Sequence, residues 1–112
     1  MNTSNNPTGY GPGRFSRILF DGKDENYELW EVKWLAYISR LDKDFRKTVL
    51  PESEGGSKEI NSEHNANVYY ELVQCLDDVS LQLVMRKASN DGRKALSILR
   101  EHYRSTTKPK ID

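Results

Sequence analysis

The sequence is poor in the features that mark secreted, membrane-spanning or disulfide-stabilised proteins. Its 112 residues contain one cysteine, Cys75, which excludes an internal disulfide and is typical of a reducing compartment, so we expect a cytoplasmic protein. No apolar run reaches the length of a membrane span or of a signal-peptide core, so no membrane partner is expected. The length itself suits one small domain.

Residues able to support catalysis or to bind a metal are also scarce. The two histidines, His64 and His102, fall in separate predicted elements, and neither has a cysteine or another histidine at metal-ligand spacing, so a zinc site would need carboxylates. Cys75 has no base beside it in the sequence. The Gly55-Gly56 pair lacks the flanking strand and the Lys-Ser/Thr of a phosphate-binding loop. We therefore expect no enzyme activity, no metal and no cofactor.

Apolar residues recur at helical spacing, and this pattern predicts an all-α fold. The strongest segment starts near Asp24 or Asn26 and carries a stripe of large aromatic residues to Leu41. Further helices are predicted over about 65–76, from 77–80 to about 88, and over about 91–104, with a polar loop at 51–63. The chain is thus a small bundle of four to five helices at 15–105, between a flexible arm at 1–14 and a tail at 106–112. The residues expected in its core are Tyr27, Trp30, Trp34, Tyr37, Leu41, Leu72, Leu76, Leu96, Leu99 and Tyr103.

The first predicted helix has a second, smaller apolar line on roughly its opposite side, formed by Leu29, Val32 and Ala36. Two explanations are open for this line. Either the short apolar segment at 15–20 and another helix cover it, or it awaits a partner molecule. The candidate interface therefore comprises Phe15, Ile18, Leu19, Phe20, Leu29, Val32 and Ala36.

Positive charge is concentrated near the C-terminal end, although the 17 basic and 17 acidic residues of the whole chain cancel. Between residues 86 and 110 there are eight basic residues and two acidic ones. A helical wheel places Arg93, Arg100 and Arg104 together on the outer side of the last helix, and with Lys108 they form a candidate polyanion contact. A solvated helix face is the alternative. The stacking platform of a single-strand binder is missing, since Tyr103 is predicted to point inward.

A motif of Phe20-x-Gly22, then Tyr27 and Trp30, opens the first helix. The closing helix ends in a hydrophobic-x-x-Leu-x-x-x-Tyr pattern, here Leu96, Leu99 and Tyr103. In their order and spacing these residues resemble the Gag polyproteins of copia-type LTR retrotransposons over about residues 15–105. The resemblance implies a helical, non-enzymatic capsid region, here its N-terminal lobe. Many copies of such a region self-associate into a virus-like particle around the RNA of the element.

The chain departs from this pattern in three places. The closing helix has Ser97 and Ile98 where such Gags commonly have tryptophan, and the loop at 51–63 is long. The zinc knuckle that usually follows, C-x2-C-x4-H-x4-C, is absent, so any RNA-binding portion is expected outside this fragment. Two alternatives to a capsid role stay open: a domesticated Gag-like module that holds a peptide in a hydrophobic groove, and a small RNA-binding domain that uses the basic C-terminal helix.

Overall fold

Five α-helices make up most of the chain that the computed structural model describes, residues 18–106, with side chains through Arg104. They are α1 (Asp24–Leu41), α2 (Phe45–Val49), α3 (Ser62–Val73), α4 (Asp78–Met85) and α5 (Gly92–Thr106), with one 3₁₀ turn at Glu52–Glu54. These residues contain no strand, so the predicted all-α class is confirmed. None of these helices is both long and apolar enough to cross a membrane. The predicted arm at 1–14, Phe15 and Lys108 lie outside the described residues.

Helix α5 is the central element of the bundle, because it contacts each of the other four helices. Its inward side carries Ala95, Leu96, Leu99 and Tyr103, all of them buried, at the helical spacing that predicted them. The Tyr103 hydroxyl shares a buried hydrogen bond with Ser80 Oγ of α4. A polar group that is buried with a partner avoids the cost of desolvation, so this pair helps to fix how α4 sits on α5.

The start of α5 is built jointly with α3. Asn65 Nδ2 of α3 donates to Asp91 Oδ1 at 2.9 Å, and Asn65 Oδ1 accepts from the backbone N–H of Arg93 at 2.9 Å. These bonds satisfy a backbone donor that the first turn of a helix would otherwise leave open. At Gly92 a Cβ atom would lie 2.7 Å from Val68 Cγ1. The two helices therefore approach too closely here for any residue larger than glycine.

Three of the ten residues expected in the core are not fully buried. Leu41 was expected inside but is 47% exposed, because α1 ends there and α2, which packs on α1, supplies Phe45 and Val49 to the core instead. Tyr37 and Leu76 are only partly buried and pack against the edge of the core. The remaining seven residues of the expected core are all buried: Tyr27, Trp30, Trp34, Leu72, Leu96, Leu99 and Tyr103.

Candidate interaction surface

The turn before α1 explains why glycine stands at position 22. Asp21 accepts hydrogen bonds from the backbone N–H of Lys23 at 2.9 Å and from Asn26 Nδ2 at 2.7 Å, and the first of these lowers the pKa of the Asp21 carboxyl. Gly22 has φ of 84°, a left-handed conformation that favours glycine. A Cβ atom there would also lie 2.8 Å from Oδ2 of Asp77, which caps α4. The turn therefore lies directly against the start of α4.

Phe20, expected in the candidate interface, is mainly a core residue. Its side chain is buried, and its ring lies 5.6 Å from that of Tyr27, 5.2 Å from that of Trp30 and 4.9 Å from that of Tyr103. Its backbone N–H donates to the carbonyl oxygen of Cys75 at 2.9 Å. Edge-to-face aromatic contacts of this kind add stability beyond the area they bury. Phe20 therefore anchors the segment before α1 in the core.

The residues just before Phe20 run along one edge of α1. Trp30 Nε1 donates to the carbonyl oxygen of Ile18 at 2.7 Å, and this bond fixes the segment beside the helix. Ile18 is half-buried, whereas Leu19 is exposed. Leu29 and Val32 are also exposed, at 61% and 66%.

The described part of the segment at 15–20 therefore leaves the second apolar line of α1 open. Ala36, the third member of that line, is exposed as well. We call Leu19, Leu29, Val32 and Ala36 the α1 surface. A scattered apolar residue on a surface is ordinary, but a line of them beside a groove is the arrangement found at docking faces.

A groove of about 350 Å³ lies between this segment and α1. Its apolar lining comes from Ile18, Leu19, Phe20, Leu29 and Trp30, and its polar lining from Asp21, Asn26 and Lys33. A lining of apolar side chains with a few polar groups suits the apolar side chains of a partner. The groove and the α1 surface share Leu19 and Leu29 and form one continuous candidate site.

The predicted basic face of α5 is turned inward rather than toward solvent. The guanidinium group of Arg93 donates to three backbone carbonyl oxygens, those of Lys47 at 3.0 Å, Thr48 at 2.9 Å and Ser57 at 2.8 Å. These bonds tie the end of α2 and the following loop to α5. Arg93 therefore has a structural role in the domain, and its expected role as a polyanion contact stays a prediction.

Arg100 and Arg104 are held by a buried acid on α1. Arg100 makes a two-point contact with Glu31, at 2.6 Å and 3.1 Å, and also contacts Glu54 at 2.8 Å, while Arg104 contacts Glu31 at 3.2 Å. The Glu31 residue is 3% exposed and the Arg100 side chain 11%. Burial by itself lowers the pKa of Arg100, but the hydrogen bonds and charges of the two glutamates raise it above its ordinary value. The expected polyanion contact is therefore mostly an internal ion-pair cluster.

Sequence reasoning missed Glu31 as the partner of these arginines. At helical spacing Glu31 falls on the same side of α1 as Tyr27, Trp34 and Ile38, so the buried stripe contains an acidic residue. Such an acid is a signal that a basic side chain faces it, because an unpaired buried charge is costly.

Comparison of the chain with known protein families, curated proteins and solved structures finds no match in any of the three. What the fold defines is the class of all-α helical domains.

Proposed function

We propose that the chain is a structural, capsid-type domain of a Gag protein, from a retrotransposon or derived from one, which acts by self-association. The exposed apolar line of α1 is the observation that carries this proposal. It lies on a well-anchored helix, beside a groove, and no described part of the chain covers Leu29 or Val32. The proposal places the chain in the cytoplasm, where the one cysteine stays reduced.

The opening motif supports the proposal because each of its four residues has a structural task. Phe20, Tyr27 and Trp30 form one aromatic cluster, and Gly22 lets the chain turn tightly against Asp77. A motif that builds the scaffold behind the α1 surface is what a family of assembling domains would share. The resemblance to copia-type Gags therefore rests on residues that matter physically.

Self-association through this surface requires only a modest contact for each copy. Exposed leucine and valine side chains gain about 1.5–3 kcal/mol each when fully buried. A shell multiplies weak contacts, since each copy that is already held by one neighbour meets the next at high effective concentration. The RNA of a particle would then be bound mainly by regions outside this fragment.

One alternative is favoured by a specific observation, namely the groove of about 350 Å³. In this alternative the domain is a host-adopted module, and the groove holds an apolar peptide of another protein. RNA binding by α5 is less well supported, because Arg93, Arg100 and Arg104 already bond to carbonyl oxygens and carboxylates within the chain.

A matched pair of variants tests self-association. Val32→Glu places a charge on the α1 surface, and Val79→Glu places the same charge on α4 at almost equal exposure, 66% against 64%. Both should leave stability within about 0.5 kcal/mol of the parent chain, because each site is exposed. Sedimentation velocity over a wide range of protein and salt concentrations should show association of the parent chain and of Val79→Glu, with loss of association in Val32→Glu.

The outcomes separate the two functions. A parent chain that stays monomeric under every condition, or a Val32→Glu variant that associates as well as Val79→Glu, contradicts the capsid proposal. In the first case, displayed peptides selected on the parent chain would test the groove. Loss of their binding in Leu29→Glu, at an exposed residue that lines the groove, but not in Val79→Glu would favour the peptide-binding module.

A further inference from the structure

A mixed group of one histidine and two aspartates meets at the corner between α1, α2 and α3. Asp42 follows the last residue of α1, Asp44 precedes α2, and His64 lies in the first turn of α3. One ligand atom of each lies within 4.8 Å of the others, and all three residues are half-buried. His64 lies 22 residues after Asp42 and 20 after Asp44 in the sequence, so only the fold brings the three together.

The backbone positions of all three residues are fixed by the local structure. Asp42 Oδ1 accepts from the backbone N–H of Asp44 at 2.8 Å, which uses one of its two carboxylate oxygens. The backbone N–H of His64 donates to Asn61 Oδ1 at 2.8 Å, and its ring packs edge-on against Phe45 at 5.7 Å. The backbone of the three residues is thus held by hydrogen bonds, and side-chain rotation can adjust the distances between their ligand atoms.

We propose that Asp42, Asp44 and His64 form a zinc-binding site. One imidazole with two carboxylates neutralises a divalent cation, and the imidazole nitrogen favours Zn²⁺ over Mg²⁺ or Ca²⁺, which prefer oxygen alone. Tetrahedral zinc with bonds of about 2.0–2.1 Å holds its ligands roughly 3.4 Å apart. Closing a separation of at most 4.8 Å to that value takes side-chain movements of about 1 Å. Water would supply the fourth ligand.

The ion pairs that Asp44 makes with two lysines do not prevent it from binding zinc. Asp44 contacts Lys43 at 3.5 Å and Lys47 at 3.3 Å, and both lysine side chains are well exposed, at 88% and 55%. Ion pairs of this exposed kind contribute little, so a divalent cation displaces them at small cost. Bound zinc would join the end of α1 and the start of α2 to the start of α3.

The second histidine of the chain provides a matched control. Calorimetric titration with ZnCl₂ should show one saturable equivalent for the parent chain and for His102→Gln, since His102 is exposed and lies on α5. His64→Gln and Asp42→Asn should each weaken binding by about tenfold or more, because loss of a ligand exceeds the 10–100-fold cost of disturbing its surroundings. Far-UV circular dichroism with EDTA present confirms that each variant is folded.

Thermal melting gives an independent measurement. Zinc should raise the melting temperature of the parent chain and of His102→Gln but not that of His64→Gln, because a ligand that binds only the folded state stabilises it. Ca²⁺ and Mg²⁺ at the same concentration should produce no comparable rise. Equal zinc affinity in the two histidine variants, or absence of saturable binding by the parent chain, would overturn the proposal. The zinc proposal is independent of the self-association proposal, because self-association is measured with EDTA present.

Discussion

Replacement of Glu31 by glutamine tests the ion-pair cluster that joins α1 to α5. The substitution keeps the shape of the side chain but removes the charge that Arg100 and Arg104 share. Removing one partner of a buried ion pair typically costs about 3–5 kcal/mol, because the other charge is left buried without compensation. Arg100 keeps its contact with Glu54, so we expect a loss near the lower end, about 3 kcal/mol. Such a loss is a large share of the stability of a small domain.

The matched control is Glu54→Gln, which removes the other carboxylate bound to Arg100. The Glu54 side chain is 43% exposed, so its ion pair is screened by water and its loss should cost no more than about 1 kcal/mol. Urea unfolding at neutral pH, followed by circular dichroism and tryptophan fluorescence, measures both values. A Glu31→Gln variant that loses no more stability than Glu54→Gln would refute the idea that burial makes this cluster important.

Two further predictions concern the start of α1. Gly22→Ala should lose about 1–3 kcal/mol in thermal melting, because of its left-handed φ and the 2.8 Å approach to Asp77. Gly55 also has a positive φ but has open space around it, so Gly55→Ala should lose less stability than Gly22→Ala. An equal loss in the two variants would contradict a steric clash with Asp77 at position 22. Burial first, and then the charge of Glu31, raise the pKa of Tyr27 above its ordinary 10.0. Stability should therefore be fully present below pH 10.0 and fall above it, and Tyr27→Phe should reduce that fall in urea titrations on either side of pH 10.0.

Much of the helical framework could be predicted from periodicity alone. The stripe of Tyr27, Trp30 and Trp34 predicted α1 with a start near Asp24 or Asn26, and the helix begins at Asp24. The spacing of Leu96, Leu99 and Tyr103 predicted the buried side of α5. Large apolar residues repeated over several turns allow only one side of a helix to face the core. Helix α2 was missed because its five residues are too few to show a period.

The contacts between distant parts of the chain could not be predicted in this way. A helical wheel grouped Arg93, Arg100 and Arg104 correctly on one side of α5, but it does not say what lies opposite. Glu31 is 69 residues from Arg100 along the chain, and only the packing of α1 on α5 brings them together. The burial of Phe20 could not be predicted either. Phe20 lies outside any helix, and its ring is buried by contact with the rings of Tyr27 on α1 and Tyr103 on α5.

The shared cap at Asn65 has a consequence for native-state hydrogen exchange. The backbone amide of Arg93 is bonded to a side chain of α3, so exchange of its hydrogen requires this bond between α3 and α5 to break. The amide of Arg93 should therefore exchange at about the rate of the α3 amides rather than early, as the amides of helix ends usually do. Because α5 also packs on α1, an opening that separates α3 from α5 reaches α1 as well, so the exposed surface of α1 depends on the same helix pair.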